Sequence, residues 1–260
     1  MKDFILSDPW FWIIPNWAQF LVIAFISYLV GCFSVARFIA RLKKKDISKL
    51  GSGNPGAMNM IRHFGVPIGV LTFLLDALKA GLPAVIVYHL YNVGSYAGGI
   101  PTGFVFEGTQ FPVGVFAALL CGMSVMLGHI YPVTTRFKGG KGISSSVGLF
   151  WIMLGMANPW FWLISFGIVL TWPITISLTK VGSLCTISYL AGFGVWQIGV
   201  LFQEYGTGNV WVSFCVAFVF FVVAFSWLAH YNNIRCLLAG EEHQTVMIKF
   251  KKRAKKEENV

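Results

Sequence analysis

Long runs of apolar residues, separated by short polar connections, organise this chain. The fourth run is shorter than the ~20 residues that a full membrane crossing needs, so we expect it to begin within the preceding polar loop and to run obliquely. Pro173 is expected to kink the fifth run without ending it. The pattern predicts an all-α polytopic membrane protein with about seven transmembrane helices. The candidate spans are residues 17–40, 64–91, 112–131, 143–157, 159–178, 181–202 and 210–230.

The positions of lysine and arginine orient the predicted bundle. Basic residues surround the first connection and occupy the third and fifth, whereas the loops at 92–111 and 203–209 contain none. With seven spans, every basic connection falls on one face, so the positive-inside rule predicts an N-terminus outside and a C-terminus in the cytoplasm. We divide the chain into a membrane domain, 1–244, and a basic cytoplasmic tail, 245–260, which is suited to anionic lipid headgroups.

Composition supports a membrane protein and narrows its partners. The 260 residues are 56% hydrophobic and only 12% charged, and the mean hydropathy is +0.70, outside the range of soluble domains. The net charge of +10 comes from residues between and after apolar runs, so we expect membrane lipids or a phosphorylated substrate as partners and no nucleic acid. The five cysteines show no metal-binding spacing, so no metal site is predicted.

The N-terminal segment is expected to remain in the membrane. It has no basic region followed by a small-residue cleavage site, the pattern of a secretory signal. Trp10, Trp12 and Trp17 instead have the character of interfacial anchors.

The connection Gly128–Gly142, which reads GHIYPVTTRFKGGKG, is the first candidate site. Its cations and glycines would let a loop wrap an oxyanion with side chains and backbone amides. His129 is either a base or phosphate donor, or a helix-end histidine bonded to backbone. The frame GxxxxGK[ST] is absent, as are a GxSxG elbow and a His-x4-Asp signature, so nucleotide binding and an acyl-serine intermediate have no support. The candidate anion ligands are Lys138, Gly139, Gly140, Lys141 and Gly142.

The first connection contains a second polar motif, GSGNPGAMNMIR, from Gly51 to Arg62. Ser52 and Asn54 lie in a tight glycine-rich turn, and the following helix would place Asn59 and Arg62 one turn apart on one face. The alternative is an ordinary polar loop before a helix, with Ser52 or Asn54 as its cap and Arg62 reaching to headgroups.

Asp76 and Lys79 are the acid and the base within the second apolar run. At this spacing the two side chains can pair, which offsets part of the cost of placing each in lipid. Ionisable residues within a membrane are functional candidates, and a purely structural pair facing the bundle interior is the equal alternative.

The last polar motif, HYNNIRCLLAGEE, follows the seventh run from His230 to Glu242. A helix that begins at His230 would stack His230 with Asn233, and Glu242 would reach back to a cationic loop. Taken alone, the segment equally fits a juxtamembrane helix of mixed polarity. However, all three polar segments map to the same membrane face, which favours a shared phosphate site.

These residues resemble the bacterial acyl-phosphate:glycerol-3-phosphate acyltransferases (PlsY) over nearly the whole chain. The family motifs GSGNxGAxNxxR, DxxK, GHxxPxxxxFKGGKG and HxxNIxxLxxGxE correspond to the segments that start at Gly51, Asp76, Gly128 and His230. The resemblance implies that a fatty acyl group passes from acyl phosphate to the sn-1 hydroxyl of glycerol 3-phosphate, giving lysophosphatidate in the first step of phospholipid synthesis. It also implies an enzyme of the bacterial cell membrane, with the active site facing the cytoplasm and no cofactor. The oligomeric state stays open, with a monomer as one possibility.

The resemblance also assigns roles to individual residues of this chain. Those expected to be catalytic are Ser52, Arg62, Lys141, His230 and Asn233. Those expected to bind phosphate or substrate are Asn54, Asn59, His129, Lys138, Gly139, Gly140, Gly142, Ser183 and Glu242. The roles of Asp76 and Lys79 stay open between structure and catalysis.

Departures from the family pattern keep other functions in view. Met58 replaces a usual Thr, Tyr231 and Asn232 replace a common Arg-Glu, and Cys236 replaces a second Arg. The loss of two cations and a hydroxyl would weaken a phosphate subsite or mark a divergent member with another acceptor. From a different class, a lipid or anion transporter would use the charged pair of the second span, although no internal repeat is visible. A third hypothesis is a weakly active member that scaffolds other lipid enzymes.

Overall fold

A computed structural model of the protein describes residues 9–93, 105–106, 109–110 and 112–241. Over these residues the chain is helical apart from its connections and one short antiparallel hairpin, so the predicted all-helical membrane fold is confirmed. The helices are α1 Pro9–Cys32, α2 Val35–Leu42, α3 Ala57–Phe64, α4 Val66–Val93, α5 Val113–Ile130, α6 Ile143–Ala157, α7 Pro159–Thr179, α8 Gly182–Tyr205, α9 Val210–Ala229 and α10 Tyr231–Leu238. Two 3₁₀ turns occupy Ile47–Lys49 and Val133–Thr135.

The hairpin lies in the loop at 92–111, for which the sequence analysis predicted no regular structure. Strand β1 is Val105–Phe106 and strand β2 is Thr109–Gln110. They pair with Val105 opposite Gln110 and Phe106 opposite Thr109.

Six stretches of the described chain are long and apolar enough to cross a membrane. The fourth predicted span, α6, has 15 residues and is therefore ~22 Å long, shorter than a hydrocarbon core of ~30 Å. The number of full crossings and their direction thus remain predictions. The six stretches are Trp17–Leu42, Val66–Tyr91, Val113–Thr135, Pro159–Thr179, Gly182–Tyr205 and Val210–Ala229.

Local chemistry explains where α7 begins and ends. The Asn158 side chain accepts a hydrogen bond from the Trp160 amide at 3.0 Å and caps α7, with Pro159 at the first helical position. Helix α7 continues through Pro173, as predicted. It ends at Lys180, which has a left-handed backbone conformation with φ of 60°.

Helix α5 forms the centre of the bundle, and α7 lies at its edge. In the most apolar stretch of α5 78% of residues are buried, against 11% in α7. Helix α1 crosses α5 closely because both carry a glycine at the crossing. A Cβ atom on Gly31 would lie 2.1 Å from the Val125 carbonyl oxygen, and one on Gly128 would lie 2.1 Å from the Tyr28 carbonyl oxygen. Such small-residue contacts hold membrane helices together where lipid removes the hydrophobic drive.

A second close contact joins α4 to α6 and positions the start of α6. A Cβ atom on Gly148 would lie 2.2 Å from the Ala77 carbonyl oxygen, so the two backbones touch. One turn earlier, the Ser145 hydroxyl donates to the Asp76 carbonyl at 3.0 Å. The N-terminus of α6 is thereby held beside the middle of α4.

We predict that Gly128→Ala destabilises the protein and that Gly167→Ala does not. The added methyl at Gly128 meets backbone atoms that cannot move aside, and overpacking of this kind costs about 1–3 kcal/mol. Gly167 is the matched control, because a Cβ there meets nothing within 4 Å and alanine is the better helix former. Unfolding in detergent micelles, followed by circular dichroism, measures both. Equal stabilities of the two variants would contradict the close α1–α5 crossing.

Candidate active site

Four separate polar segments meet at one end of the bundle around a cavity of about 370 Å³. They are the connection before α4, the start of α6, the start of α8 and the segment after α9. Because all four share one cavity, the chain returns to the same end of the bundle after each pair of long helices. The polar lining includes Ser52, Asn54, Asn59, Arg62, Asp76, His129, Lys141, Gly142, Ser144, Ser183, Thr186, His230, Asn232, Asn233 and Glu241.

The structure therefore brings together most of the residues singled out in the sequence. Lys79, Lys138, Gly139 and Gly140 do not line the cavity, and Glu242 lies outside the described residues. Its neighbour Glu241 lines the cavity instead, and the sequence analysis did not single it out.

Three helix N-termini point at this cavity, a feature that the sequence analysis did not identify. The lining includes Ala57 at the start of α3, Ile143 at the start of α6 and Gly182 at the start of α8. The first amides of a helix have no intrahelical partner, and the helix dipole adds partial positive charge there. None of the three first turns contains an acidic residue. With Arg62 and Lys141 beside them, these termini make a site for anions.

Lys141 links two of the polar segments directly. Its ammonium nitrogen donates to the Asn233 side-chain oxygen at 2.5 Å, so the loop before α6 is tied to α10. The side chain is half-buried within the cavity lining. The ammonium group is therefore tied to α10 at a position where Lys141 lines the cavity.

Arg62 and Ser52 are exposed residues of the lining, and Asn59 holds the loop that carries Ser52. The Asn59 amide nitrogen donates to the carbonyls of Leu50 at 2.9 Å and Asn54 at 3.1 Å. Asn59 is 2% exposed, so its donors serve the loop and do not reach a ligand. This corrects the expectation that Asn59 binds phosphate, whereas Arg62 remains in position to do so.

Gly139 and Gly140 serve packing, which corrects the expectation that their amides hold phosphate. The Gly139 amide donates to the Ile130 carbonyl at 3.1 Å, and the Gly140 amide donates to the His129 carbonyl at 3.0 Å. Cβ atoms at the two positions would lie 2.1 Å from the His129 carbonyl oxygen and 2.1 Å from its ring Nε2. The glycines thus allow the loop to fold back onto the end of α5.

The Lys138 side chain is exposed and lies outside the cavity lining. Its backbone carbonyl accepts hydrogen bonds from Arg37 at 2.5 Å and from the Thr135 hydroxyl at 2.9 Å. The residue therefore fixes the outer part of the loop, and its expected contact with phosphate is corrected. Gly142, by contrast, lines the cavity with a φ of 80° and caps α6.

The predicted pair of Asp76 and Lys79 is present, and it includes a third residue. The Lys79 ammonium lies 2.8 Å from an Asp76 oxygen and 2.7 Å from His129 Nδ1. It also contacts the backbone carbonyl of Phe33, at 3.0 Å. These contacts bring the end of α1, the middle of α4 and the end of α5 together directly beneath the cavity.

His230 is buried at the end of α9, and its ring has a defined hydrogen-bond arrangement. Nδ1 lies 2.8 Å from the Ser226 carbonyl, which accepts only, so Nδ1 carries the proton. Burial, and next the charge of Lys141, lowers the pKa of His230 to about 4, against the hydrogen bond to Ser226. The ring is therefore neutral at pH 7, and Nε2 is left as a hydrogen-bond acceptor in the cavity.

The other half of the cavity is apolar and lies between α4, α7 and α8. Trp172 stacks on Phe73 with ring centroids 6.4 Å apart, and its indole nitrogen donates to the Thr186 hydroxyl at 3.2 Å. The remaining apolar lining consists of Val147, Val169, Ile176, Tyr189 and Phe193. The cavity thus joins an anion site to a hydrocarbon site. Among the described residues no group of three or more His, Cys, Asp and Glu side chains is placed to hold a metal ion.

Comparison with known proteins relates this arrangement to a single family. A family model described as glycerol-3-phosphate acyltransferase matches residues 21–240. The glycerol-3-phosphate acyltransferase of Thermosipho melanesiensis is 31% identical over 236 residues, covering 89% of this chain and 96% of that protein. The corresponding protein of Aquifex aeolicus is 30% identical over 227 residues, covering 87% and 98%.

Two solved structures have a similar fold. Both are crystal structures of PlsY, an integral membrane glycerol 3-phosphate acyltransferase. Its glycerol 3-phosphate form is 28% identical with a TM-score of 0.64, and it covers 87% of this chain and 95% of that one. Its lysophosphatidic acid form is 26% identical with a TM-score of 0.63 and the same coverage.

We predict that two lysines of one loop contribute very differently to anion binding. Lys141→Ala is expected to weaken the binding of inorganic phosphate at least about tenfold, because hydrogen bonds to charged groups are worth ~1.5–3 kcal/mol. Lys138→Ala, the matched control, is expected to change it less than about threefold, since that side chain is exposed and screened by solvent. Isothermal titration of the purified protein in nanodiscs measures both affinities. Equal losses in the two variants would contradict the assignment.

Proposed function

Because the chain belongs to the glycerol-3-phosphate acyltransferase family, we propose that it transfers a fatty acyl group from acyl phosphate to the sn-1 hydroxyl of glycerol 3-phosphate. The products are lysophosphatidate and inorganic phosphate. The observation that carries the proposal is the single cavity in which a cationic, amide-rich end adjoins an apolar groove. An activated acyl donor with a phosphate leaving group needs both halves at once.

The reaction can proceed without a covalent enzyme intermediate, because acyl phosphate is already an activated mixed anhydride. The acceptor's hydroxyl oxygen attacks the acyl carbonyl carbon and forms the ester bond. The bond from that carbon to the phosphate oxygen breaks, and the phosphate leaves with the electron pair. The protein has to align the two reactants and stabilise the charge on the carbonyl oxygen and on the leaving phosphate.

The hydroxyl proton has three candidate acceptors, namely a substrate phosphate, His230 and His129, and basicity distinguishes the first two. The His230 ring has a pKa of about 4, whereas the second pKa of a phosphate monoester is about 6. The lowered pKa makes His230 a weak proton acceptor at pH 7, which favours a phosphate oxygen as the base. In this proposal His230 orients the hydroxyl through Nε2, and the proton ends on the departing phosphate.

The cationic end is suited to two phosphate groups, one from each substrate. Arg62 and Lys141 are the cations of the lining, and the amides at the starts of α3, α6 and α8 add donors around them. Ser183 is buried at the start of α8 and lines the cavity, and in this proposal it contacts the acceptor. Asn233, fixed by Lys141, completes the acceptor side together with His230.

We assign the site to the cytoplasmic face of the bacterial cell membrane. The connections that line the cavity belong to the lysine- and arginine-rich set, and the positive-inside rule directs such loops to the cytoplasm. In this orientation the N-terminus is outside, and the basic tail, 245–260, follows the membrane domain into the cytoplasm.

A different acceptor is the second candidate function, because replaced family positions lie at the site. Met58, Asn232 and Cys236 all line the cavity, so the changes from the family pattern alter the surface that meets substrate. No observation of this kind favours transport, since the charged pair of α4 is bound within the bundle.

We expect the purified protein in nanodiscs to form lysophosphatidate from palmitoyl phosphate and glycerol 3-phosphate, detected by mass spectrometry. Arg62→Ala should lower kcat/KM at least about tenfold through the loss of a charge-assisted phosphate contact. Parallel reactions with palmitoyl-CoA and with other polyol phosphates test donor and acceptor separately. If product formed only from palmitoyl-CoA, acyl phosphate would be refuted as the donor. If product formed only with another polyol phosphate, the chain would be a divergent member with that acceptor.

The depth of the apolar groove sets the length of the acyl chain that it can hold in this proposal. Val169 and Phe193 are its deepest residues on α7 and α8, each about 15 Å from the helix end at the site, at 1.5 Å per residue. Carbon–carbon bonds of ~1.5 Å advance an extended chain by roughly 1.25 Å each, so about twelve carbons fill this length. Behind Phe193, Trp196 stacks at 6.3 Å and Phe161 meets Trp196 edge-on at 5.1 Å, which closes the groove.

We predict that Phe193→Ala shifts the preference toward longer acyl phosphates. Each further buried methylene gains ~0.8 kcal/mol, or about fourfold in kcat/KM. The measurement is the ratio of kcat/KM values for acyl phosphates of different length in one assay. Phe220→Ala is the matched control, because Phe220 is 64% exposed on α9. An unchanged length profile in Phe193→Ala would mean that the chain leaves the cavity into the bilayer before reaching Phe193.

A further inference from the structure

The two histidines of the cavity have hydrogen-bond partners of opposite kind. His129 Nδ1 lies 2.7 Å from the ammonium nitrogen of Lys79, whereas His230 Nδ1 lies 2.8 Å from the carbonyl oxygen of Ser226. Both rings are buried and both line the cavity. Since a neutral imidazole has one donor and one acceptor nitrogen, the partner of Nδ1 determines what Nε2 offers to a ligand.

Lys79 can only donate to His129. Besides the ring, its nitrogen contacts an Asp76 oxygen at 2.8 Å and the carbonyls of Phe33 at 3.0 Å and Gly31 at 3.5 Å. All of these partners are acceptors, and the Asp76 carboxylate compensates the charge of the ammonium group. An ammonium group has three donors and no lone pair. Nδ1 of His129 must therefore accept, and the ring proton lies on Nε2.

The Nε2 side of His129 faces the loop at Gly140. A Cβ atom on Gly140 would lie 2.1 Å from Nε2, so only a glycine leaves room for the ring at this point. No hydrogen-bond partner of Nε2 occurs within the described part of the chain. The ring lines the cavity together with Lys141 and Gly142, so an anionic oxygen bound there would be the partner for its N–H group.

We infer that Asp76 and Lys79 form a positioning pair that fixes His129 as a hydrogen-bond donor to a bound phosphate, while His230 is fixed as the acceptor for a hydroxyl. The identification of the anion as a substrate phosphate rests on the proposed function. The inference removes His129 from the candidates for the proton acceptor. It also gives the buried pair of α4 a defined role in the site.

Nitrogen NMR of the substrate-free protein tests the inference directly. In protein with ¹⁵N-labelled histidine, the correlations between ring nitrogens and carbon-bound protons distinguish the two tautomers. We expect His129 to be protonated at Nε2 and His230 at Nδ1 at pH 7.5, with assignments from His129→Gln and His230→Gln. Added inorganic phosphate should shift the His129 Nε2 resonance. A His129 ring protonated at Nδ1, or one that exchanges between both tautomers, would overturn the inference.

The role of the pair is tested with both charges removed together. Asp76→Asn/Lys79→Met avoids leaving a single buried charge, which alone would threaten folding. We expect the double variant to lose the single His129 tautomer and to bind inorganic phosphate about tenfold more weakly. A His129 tautomer and a phosphate affinity unchanged in the double variant would show that the pair only holds the helices together. The wild-type NMR result stands as a test even where this variant does not fold.

Substitutions of His129 itself separate donation from packing. His129→Gln keeps an N–H group, whereas His129→Met keeps only the volume. We expect His129→Met to lower kcat/KM by about tenfold to a hundredfold and His129→Gln to recover a large part of it, while His89→Met, on an exposed histidine of α4, changes nothing. Equal losses in the Gln and Met variants would refute the donor role. If the wild type makes no lysophosphatidate, the proposed function fails, yet the tautomers and the phosphate titration still decide this inference.

Discussion

The structure depends on how one buried ammonium group is compensated. A lysine inside a bilayer is costly unless other groups satisfy its charge and its donors. For Lys79 these groups come from three helices, namely carbonyls at the end of α1, the Asp76 carboxylate on α4 and the His129 ring on α5. The hydrogen bonds and the ion pair of the Lys79 ammonium group therefore fix how far α1, α4 and α5 are shifted along their axes relative to one another. The cavity lies directly above that junction.

The glycine-rich loop is positioned by the same junction. Its return onto α5 uses backbone hydrogen bonds from Gly139 and Gly140 to the carbonyls of Ile130 and His129, groups that the end of a helix would otherwise leave unpaired. Lys141 and the start of α6 come directly after these two glycines in the chain. The hydrogen bonds of the glycines therefore place both at the cavity. The glycines of this loop are needed for space, and their amides are used in these backbone hydrogen bonds.

Much of this architecture could be predicted from the sequence because apolar runs, proline and charge spacing act locally. The segments of α4, α5, α7, α8 and α9 and the passage of α7 through Pro173 followed from composition alone, and the pair of Asp76 and Lys79 followed from a spacing of one helical turn. The motifs also identified which polar segments would meet.

Other features depend on tertiary contacts that no local pattern encodes. Lys138 and Lys141 are three residues apart with the same chemistry, and only the fold of the loop turns one outward and the other into the cavity. The convergence of the N-termini of α3, α6 and α8 was not predicted. A local sequence can mark where a helix starts, but it does not tell where in the fold that start will lie. Phe73, Trp172 and Phe193 look like lipid-facing aromatics until α4, α7 and α8 are seen to enclose a groove.

The shortness of α6 connects the fold to the chemistry. A helix of 15 residues falls about 8 Å short of a ~30 Å hydrocarbon core, so one of its ends lies below the membrane surface. Its C-terminal end adjoins Trp160, which is 71% exposed, and exposed tryptophans belong to the membrane interface. The shortfall therefore lies at the other end, where the N-terminus of α6 lines the cavity. The start of α6 and Lys141 therefore lie below the membrane surface, whereas Arg62, on the same cavity, is exposed.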